Sequence, residues 1–293
     1  MKLAVHGLPL GTGLSVVVPA YNEAGGIGTT VEALKRVVGE LGVPYEILVV
    51  DDGSQDATAE VAEEHGVSVL RHPHRGGYGS SLKTGISRAQ YELVAIIDAD
   101  GTYPAEELPA LFSRSHDCDM VVGARTGPYY WRSILRSPLR SLFILMVAFV
   151  TGTFIPDPNS GMRIFRRSQI IPLFPQLPKG FSFTTTTTLI LTLKGAFVHF
   201  YPVAYKRRIG KSKVRRLPDA LRVTQTLLEV TLRHNPLKAF LLLTLLPMSM
   251  SLLAAFFIPE EPLRWQMTTL FVAVTILVLA LGMLAVVARG TPK

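Results

Sequence analysis

Cysteine is nearly absent from this sequence of 293 residues, in which Cys118 is the only one. No disulfide can therefore form within the chain, which is typical of a reducing compartment. The stretch from Met1 to Leu14 lacks the apolar core of a secretory leader, so we expect no signal peptide. The sequence also has no P-loop, and no Gly-x-Gly-x-x-Gly motif follows its first predicted strand, which disfavours a dinucleotide-binding fold.

Charged residues are missing from two long runs, 239–258 and 267–288. Each run is long enough to cross a bilayer core of about 30 Å, and the alternative is a pair of buried core helices. The outer flanks of the runs are basic, whereas the turn between them, 259–266, has more acidic than basic residues. The positive-inside rule then places both ends in the cytoplasm, as in an integral protein of the inner (plasma) membrane.

The net charge of +8 at pH 7 indicates anionic partners. Because two spans are predicted, we expect anionic membrane lipids and a phosphate-bearing substrate rather than nucleic acid. The sequence leaves the oligomeric state open, and a homo-oligomer is compatible with it.

Predicted strands and helices alternate over the first part of the chain. Short apolar runs that end in turn residues predict the strands, and apolar residues at helical spacing predict the helices between them. This alternation predicts an α/β fold with a doubly wound, mostly parallel sheet. The predicted strands are 14–19, 45–50, 67–70, 94–97 and 119–123, and the predicted helices are 29–41, 55–65, 105–115 and one that ends at Ala89.

The strand 94–97 leads directly into two aspartates, Asp98 and Asp100. If the chain stays extended, residues two positions apart point to the same side, and open α/β sheets bind ligands at the carboxyl ends of their strands. Two carboxylates there predict a site for a hard divalent cation that also holds substrate phosphates. An ordinary strand-ending turn is the alternative, since aspartate and glycine are common turn residues.

Three motifs in this order resemble the family-two inverting glycosyltransferases with a GT-A fold. They are Val17-Val18-Pro19-Ala20-Tyr21-Asn22-Glu23, Val49-Val50-Asp51-Asp52-Gly53-Ser54 and Asp98-Ala99-Asp100. The resemblance covers roughly residues 14–215 and implies that the last motif holds Mg²⁺ or Mn²⁺ on the diphosphate of a nucleotide-sugar donor. The donor contacts that it implies are Pro19, Tyr21, Glu23, Asp52, Asp98 and Asp100.

Later segments narrow the resemblance to dolichol-phosphate mannose synthases and bacterial polyprenyl-phosphate glycosyltransferases. They are Asp157-Pro158-Asn159-Ser160-Gly161-Met162-Arg163, Arg208-Ile209-Gly210-Lys211-Ser212-Lys213 and Gly123-Ala124-Arg125. The resemblance implies a UDP- or GDP-linked sugar as donor and a polyprenyl phosphate, undecaprenyl or dolichyl, as acceptor. The candidate contacts to the acceptor phosphate are Arg125, Ser160, Arg163, Arg208, Lys211 and Lys213.

Two positions depart from these relatives. Thr102 stands where many relatives have glutamine beside the metal site, and it stays a candidate donor contact. The run Thr184–Thr188 carries no acid where relatives tend to have acids, which leaves Asp157 as the candidate base, with a turn as the structural alternative. A phosphate acceptor is already largely ionised near neutral pH, so it needs charge neutralisation rather than a base. Asp100, Asp157 and Arg208 are the predicted catalytic residues.

Basic residues are concentrated in two places. Lys83 follows a Gly-rich basic loop and is either a contact to the leaving diphosphate or a solvated lysine. The run Lys206–Arg216 lies shortly before the first predicted span, where it can clamp phosphates or attract anionic headgroups. We assign Arg208, Lys211 and Lys213 to the site.

The expected organisation has three parts. A cytoplasmic glycosyltransferase domain covers 1–216, an amphipathic juxtamembrane helix covers 217–236, and a hairpin of two spans covers 237–293. The juxtamembrane helix, with Leu217, Leu221, Leu228 and Leu232 near one face, either lies on the membrane or packs on the globular domain. The uncharged stretch 141–155 is short for a span, so we expect it in the interface or buried.

The leading hypothesis is therefore transfer of a sugar to a polyprenyl phosphate, for cell-envelope glycan or glycoconjugate assembly. Transfer to a lipid or glycan hydroxyl is the alternative enzyme. A membrane scaffold with a degenerate transferase domain is the alternative without catalysis, and the intact Asp98–Asp100 pair argues against it.

Overall fold

The computed structural model of the chain describes residues 13–127, 130, 138–206 and 216–290. They fall into two compact units. The first combines the described residues up to Leu145 with those from Phe154 to Val223, and the second combines Met146–Thr153 with those from Thr224 onward.

The first unit is built on a mostly parallel sheet, which confirms the predicted fold class. Its strands are β1 (Leu14–Ala20), β2 (Tyr45–Asp51), β3 (Ser68–Arg71), β4 (Leu93–Ile96), β5 (Met120–Thr126), β6 (Arg163–Arg166) and β7 (Val198–Ala204). Among the described residues they lie in the order β3-β2-β1-β4-β6-β5-β7. β6 is antiparallel to both of its neighbours, and the other neighbouring pairs are parallel.

Helices connect the strands and continue beyond them. They are α1 (Ala24–Gly39), α2 (Thr58–Glu64), α3 (Tyr78–Arg88), α4 (Leu108–Arg114), α5 (Pro138–Thr151), α6 (Arg167–Ile170), α7 (Phe183–Leu193), α8 (Arg216–His234), α9 (Pro236–Phe257) and α10 (Glu261–Gly290), with 3₁₀ turns at Ala105–Glu107 and Ile171–Gln176. β1 and β4 are buried along their whole length, as expected for central strands of a sheet that is covered on both faces. α1 packs its buried apolar stripe against this core.

Three parallel strands end side by side, which positions the sequence motifs. Ala20 at the end of β1 pairs with Asp51 at the end of β2, and Val17 pairs with Ile96 at the end of β4. The residues that follow these strands therefore meet at one edge of the sheet, where open α/β sheets bind their ligands.

The sequence pattern did not predict β6, β7 or α7. β6 has four residues with an arginine at each end, which is too short and too charged to show the alternation of a strand. α1 also begins five residues before the expected Thr29, because its first three residues, 24–26, are small and show no apolar periodicity.

The second unit contains an antiparallel pair of apolar helices, α9 and α10. Ser251 Oγ donates to the carbonyl oxygen of Thr268, and a Cβ atom on Gly282 would lie 2.6 Å from the Cβ of Phe240. Pro236–Phe257 and Glu261–Val287 have mean hydropathies of 2.1 and 3.0 and are each long and apolar enough to cross a membrane. Large apolar side chains are exposed along both helices.

The buried face of α8 differs from the predicted one. Leu227, Val230 and Thr231 are buried, whereas Leu232 is 38% exposed, and Leu228 is only partly buried. The leucine spacing was a poor guide because the buried stripe includes a valine and a threonine, whose hydroxyl donates to the Leu227 carbonyl at 2.6 Å. Leu217 and Leu221 lie in a stretch whose side chains are outside the description.

The uncharged stretch 141–155 forms most of α5, and its C-terminal end is capped from α9. Lys238 Nζ donates to the carbonyl oxygens of Phe149 and Val150 at 2.7 and 3.1 Å, and a cation at this end complements the helix dipole. Leu145 and Phe149 are 66% and 43% exposed. Placement of this stretch in the membrane interface stays a prediction.

Candidate active site

The turns that follow β1 and β2 are interlocked by side-chain hydrogen bonds. The amide of Asn22 donates to Ser54 Oγ at 2.9 Å, and the amide of Gln55 donates to Asn22 Oδ1 at 2.7 Å. Asn22 has a φ of +50°, a conformation that asparagine tolerates better than most residues. Both predicted nucleotide-contacting turns are therefore held as one rigid surface at the sheet edge.

Asp52 anchors the Gly-rich loop before α3. Its carboxylate accepts hydrogen bonds from the amides of Gly76 and Gly77 at 2.9 and 2.8 Å. His72 Nδ1 donates to the same carboxylate at 2.9 Å, and His72 Nε2 lies 2.9 Å from Thr84 Oγ1. Asp52 is only 3% exposed, so the structure gives it a loop-anchoring role, and the base contact that the motif implies stays a prediction.

The remaining donor-side candidates lie beside this loop. Pro19 is buried near the end of β1, and Tyr21 and Glu23 are partly buried in the turn after it. The guanidinium carbon of Arg75 lies 4.4 Å from the centre of the Tyr21 ring. This contact leaves a cation and an aromatic face together at the edge where the nucleotide is expected.

Asp98 is enclosed by a tyrosine and a glycine. Tyr78 Oη donates to Asp98 Oδ1 at 2.9 Å. On the other side, a Cβ atom on Gly161 would lie 2.6 Å from the carboxylate carbon of Asp98, so the carboxylate occupies the space that only glycine leaves open. Burial, together with the charge of Asp98, raises the pKa of Tyr78 well above its usual value, which keeps the hydroxyl a donor.

Asp100 is held by Thr102. The hydroxyl and amide of Thr102 donate to Asp100 Oδ1 at 2.6 and 3.1 Å. β4 ends at Ile96 and residues 99–100 form a turn, so the strand alternation used to align the two aspartates does not extend to Asp100. Thr102 is fully buried and orients a carboxylate, and the direct donor contact implied for it stays a prediction.

The turn that carries the two aspartates is fixed from both sides. Thr30 Oγ1 on α1 donates to the carbonyl oxygen of Ala99 at 3.1 Å. The amide of Lys206 donates to the carbonyl oxygen of Thr102 at 2.9 Å. Within the described residues, no group of three or more His, Cys, Asp or Glu side chains forms a metal cage. Two carboxylates without a cage suit a hard cation that completes its coordination with substrate phosphates.

The ammonium of Lys83 binds backbone carbonyl oxygens. Its ammonium donates to the carbonyl oxygens of Phe174 and Leu177, the first at 2.8 Å. Burial, and then the charge of Lys179, lowers the pKa of Lys83. Lys83 therefore holds the 3₁₀ turn after α6 in place, and the contact to the leaving diphosphate stays a prediction.

Arg125 and Asp157 form an ion pair in which Asp157 is buried and Arg125 is partly buried. Arg125 Nε and an Nη atom donate to the two carboxylate oxygens of Asp157 at 2.7 and 2.8 Å, and the amide of Arg125 adds a third hydrogen bond at 3.1 Å. The guanidinium also lies 5.1 and 5.3 Å from the ring centres of Tyr130 and Tyr205. Burial acts to lower the pKa of Arg125, but Tyr103 and Asp157 raise it well above its usual value.

This pairing gives structural roles to two predicted site residues. Asp157 is 1% exposed and both of its oxygens accept from Arg125, so a positioning role fits it better than that of a base, which stays a prediction. Arg125, predicted to bind the acceptor phosphate, is committed to Asp157 by a bidentate contact.

Two further acceptor candidates have structural roles. Arg163 is fully buried, and its guanidinium donates to the carbonyl oxygens of Ser160 and Thr184 and to Thr188 Oγ1. Burial lowers its pKa to about 10, so it remains charged at neutral pH. Ser160 is also fully buried and donates to the carbonyl oxygen of Gly123 at 2.6 Å. The structure thus gives both side chains internal partners, and their predicted contacts to an acceptor phosphate stay predictions.

The threonine run of α7 is a packing element. Thr184–Thr188 are all buried. The hydroxyls of Thr186, Thr187 and Thr188 each donate to the backbone carbonyl oxygen four residues earlier in the helix. Thr185 Oγ1 contacts Asn159 Oδ1. The run thus ties α7 to the segment that carries Asp157.

With this geometry in view, the comparisons with known proteins decide the family. The model of glycosyl transferase family 2 matches residues 15–174. The chain belongs to glycosyl transferase family 2. It is therefore a glycosyltransferase, and both the predicted family and the predicted enzyme class are confirmed.

Two curated relatives of this glycosyltransferase are informative. The low-salt glycan biosynthesis hexosyltransferase Agl6 of Haloferax volcanii is 32% identical over 218 residues, which are 71% of this chain and 51% of the relative. The undecaprenyl-phosphate 4-deoxy-4-formamido-L-arabinose transferase of Yersinia enterocolitica is 30% identical over 161 residues, 53% of this chain and 49% of the relative. The chain thus spans about half the length of the curated relatives it matches.

Solved structures confirm the GT-A fold. Glucosyl-3-phosphoglycerate synthase from Mycobacterium tuberculosis, in complex with Mn²⁺, UDP and glucosyl-3-phosphoglycerate, aligns with a TM-score of 0.61 at 22% identity. The alignment covers 75% of this glycosyltransferase and 80% of the synthase. At this identity the likeness shows the fold alone.

Several residues of the glycosyltransferase site were missed by sequence reasoning. Tyr78 and His72 contact Asp98 and Asp52, and Tyr103 Oη accepts a hydrogen bond from the amide of Gly161 at 2.7 Å. The glycines around Tyr78 could have indicated that this segment belongs to the site, because glycines often mark a close approach of two backbones. Arg208, Lys211 and Lys213 lie outside the described residues, and their predicted roles stay predictions.

Proposed function

We propose that this glycosyltransferase transfers a sugar, with inversion, from a nucleotide sugar to a polyprenyl phosphate at the membrane surface. The observation that carries the proposal is the antiparallel pair α9 and α10, which follows the transferase unit and exposes apolar side chains along its length. A transferase with such an anchor acts where a lipid acceptor is held. The undecaprenyl-phosphate transferase of Yersinia enterocolitica supports this class of acceptor.

On the donor side, Asp98 and Asp100 would hold a divalent cation, Mg²⁺ or Mn²⁺, together with the donor diphosphate. The structures of glucosyl-3-phosphoglycerate synthase with Mn²⁺ or Mg²⁺ and UDP support a metal in a site of this fold. Such a cation acts as a Lewis acid on the leaving diphosphate. Thr102 and Tyr78 fix the two carboxylates, while the loop held by Asp52 closes the nucleotide side.

On the acceptor side, the attacking atom is an oxygen of a phosphate that is already ionised near neutral pH. It attacks the anomeric carbon opposite to the leaving diphosphate, so the configuration inverts. The commitment of Asp157 to Arg125 supports an acceptor that needs no carboxylate base. Arg208, Lys211 and Lys213 would neutralise the acceptor phosphate, and neighbouring basic residues would bind anionic lipids.

The proposed membrane is the inner (plasma) membrane, with the catalytic unit in the cytoplasm. The basic outer flanks of the two apolar runs and the acidic turn between them support this orientation.

The test is a transfer assay with the purified full chain in detergent. Labelled UDP- and GDP-sugars are offered with undecaprenyl phosphate, dolichyl phosphate and the matching free polyprenol, each with Mg²⁺, with Mn²⁺ or with excess EDTA. We expect sugar transfer to a polyprenyl phosphate with one donor class, no transfer to the polyprenol, and loss of transfer in EDTA. Equal rates with the polyprenol or with a glycan hydroxyl would replace this proposal by the hydroxyl-acceptor alternative.

A further inference from the structure

Tyr78 stands between two carboxylates of the donor side. Its side chain donates to Asp98 Oδ1 at 2.9 Å. The residue before it, Gly77, donates its amide to Asp52 Oδ2 at 2.8 Å. The segment Gly76–Tyr78 therefore joins the anchoring carboxylate of one turn to the first aspartate of the other.

The ring of Tyr78 is itself held in place. It stacks on Phe181 with ring centres 5.5 Å apart and an angle of 23° between the planes. The backbone around it packs directly on the loop that carries Phe181, since a Cβ atom on Gly77 would lie 2.7 Å from the carbonyl oxygen of Lys179. A hydroxyl on a ring fixed by a stack and by backbone contacts defines one position for the oxygen that it contacts.

Asp98 has little freedom on its opposite side. The carboxylate lies against the backbone of Gly161, and the amide of Gly161 is fixed by Tyr103 Oη at 2.7 Å. The Tyr78 hydroxyl therefore selects the orientation of a carboxylate that is already confined. In metal sites, losing a hydrogen bond that orients a ligand side chain typically lowers metal affinity by about 10–100-fold.

We propose that Tyr78 is a positioning residue of the donor site, whose hydroxyl holds Asp98 in the orientation that receives the cation and the donor diphosphate. This inference rests on the metal and donor assignment of the proposed function, and it is independent of the acceptor. It assigns a role to the tyrosine within the Gly-rich loop, which the resemblance to the family left without one.

The test compares Tyr78→Phe with the wild-type chain, both full length and in detergent, by Mn²⁺ titration followed by electron paramagnetic resonance. The titration is made in saturating UDP, or in saturating GDP where the transfer assay selects a GDP-sugar. The substitution keeps the stack on Phe181 and removes only the hydroxyl. We expect the dissociation constant for Mn²⁺ to rise about tenfold, with UDP binding in EDTA and the melting temperature unchanged. Tyr130→Phe, which removes a hydroxyl that donates to the carbonyl oxygen of Pro156 at 3.3 Å, is the matched control and should keep the wild-type affinity.

A second comparison separates positioning from folding. If Tyr78 acts through Asp98, the double variant Tyr78→Phe with Asp98→Asn should bind Mn²⁺ no more weakly than Asp98→Asn alone. Additive losses in the double variant, or wild-type Mn²⁺ affinity in Tyr78→Phe, would overturn the inference while leaving the donor site intact. A wild-type chain that binds Mn²⁺ no better with either UDP or GDP than without a nucleotide would overturn both the inference and the donor assignment.

Discussion

Single side chains at the site are fixed by donors that leave one carboxylate oxygen in a defined position. Asp100 shows this most simply, because Thr102 supplies both a hydroxyl and an amide to its Oδ1 atom. Such preorganisation costs nothing at the moment of reaction and is worth most where charge develops. Single substitutions at these carboxylates can therefore separate a loss of catalysis from a loss of folding.

Asp100→Asn should retain the fold and lose activity. The amide oxygen of asparagine can still accept both hydrogen bonds from Thr102, but the charge that would hold a cation is gone. We expect kcat to fall by about 100-fold or more, measured as transfer of labelled sugar by the purified chain. Asp117→Asn, on the exposed turn after α4, should transfer at the wild-type rate. An Asp100→Asn variant of near-normal activity would contradict the metal assignment.

Asp157 and Arg125 should behave as an energetically coupled pair. Asp157→Asn leaves the charge of Arg125 buried without its partner, which costs about 3–5 kcal/mol. Arg125→Met keeps the apolar stem and removes the charge. The melting temperature of the double variant should fall by less than the sum of the two single effects, because the second change removes the charge that the first left unpaired.

The pH profile distinguishes this structural pair from a catalytic base. A base at Asp157 predicts that Asp157→Asn abolishes turnover with an unchanged melting temperature and removes the acidic limb of the rate profile. If Asp157 is instead the partner of Arg125, Asp157→Asn should lower the melting temperature before it abolishes turnover.

At the scale of elements, the N-terminus of α3 depends on close backbone packing. The carbonyl oxygen of Lys179 accepts from the amide of Ser80 at 3.1 Å, and Gly77 and Gly79 leave room for the loop 178–180. A protein carbonyl thus occupies the helix end that, in a P-loop, would bind phosphate. The Gly-rich loop of this chain therefore serves tertiary packing. This role agrees with the lack of a P-loop motif in the sequence.

Gly79→Ala should disrupt this contact. A Cβ atom there would lie 2.9 Å from the carbonyl carbon of Lys179, so the loop must shift and the stack of Tyr78 on Phe181 with it. Overpacking of this kind costs about 1–3 kcal/mol, and we expect a lower melting temperature and a higher KM for the nucleotide sugar. Gly180→Ala, in the same contact but facing open space, is the control. Equal melting temperatures for the two variants would contradict the packing argument.

For the whole molecule, cysteine labelling can test the proposed membrane topology. The lone Cys118 is buried, so an introduced cysteine can be labelled against a quiet background once Cys118 is replaced by alanine. Glu261 at the start of α10 and Glu64 at the end of α2 are both exposed.

The proposed topology predicts opposite labelling of these two positions. In intact cells, an impermeant thiol reagent should label Glu261→Cys and spare Glu64→Cys, because the positive-inside rule places the acidic turn outside. Both positions should be labelled after lysis, which controls for accessibility. If only Glu64→Cys is labelled in intact cells, the orientation is the reverse of the proposed one. If both are labelled, the proposed topology is contradicted.

The sequence by itself determined those features whose physical cause is local. β1, β2 and β4 were predicted within two residues at each end, because a continuous apolar run ending in turn residues is sufficient for a buried strand. The two apolar helices were predicted for a similar reason, since each residue of the runs contributes independently to transfer into an apolar phase. The family followed from three motifs at strand ends, whose positions the sheet then brought to one edge.

Tertiary structure alone decided what each charged side chain does. The sequence offered Arg163 as a contact to the acceptor phosphate, and Lys83 as a contact to the leaving diphosphate or a solvated lysine. A buried charge must be satisfied by the oxygens that surround it, and here these include backbone carbonyls. Asp157 pairs with Arg125 across 32 positions, and Tyr78 reaches Asp98 across 20. No periodicity encodes such pairs, because they depend on which loops the sheet order β4-β6-β5 places next to one another.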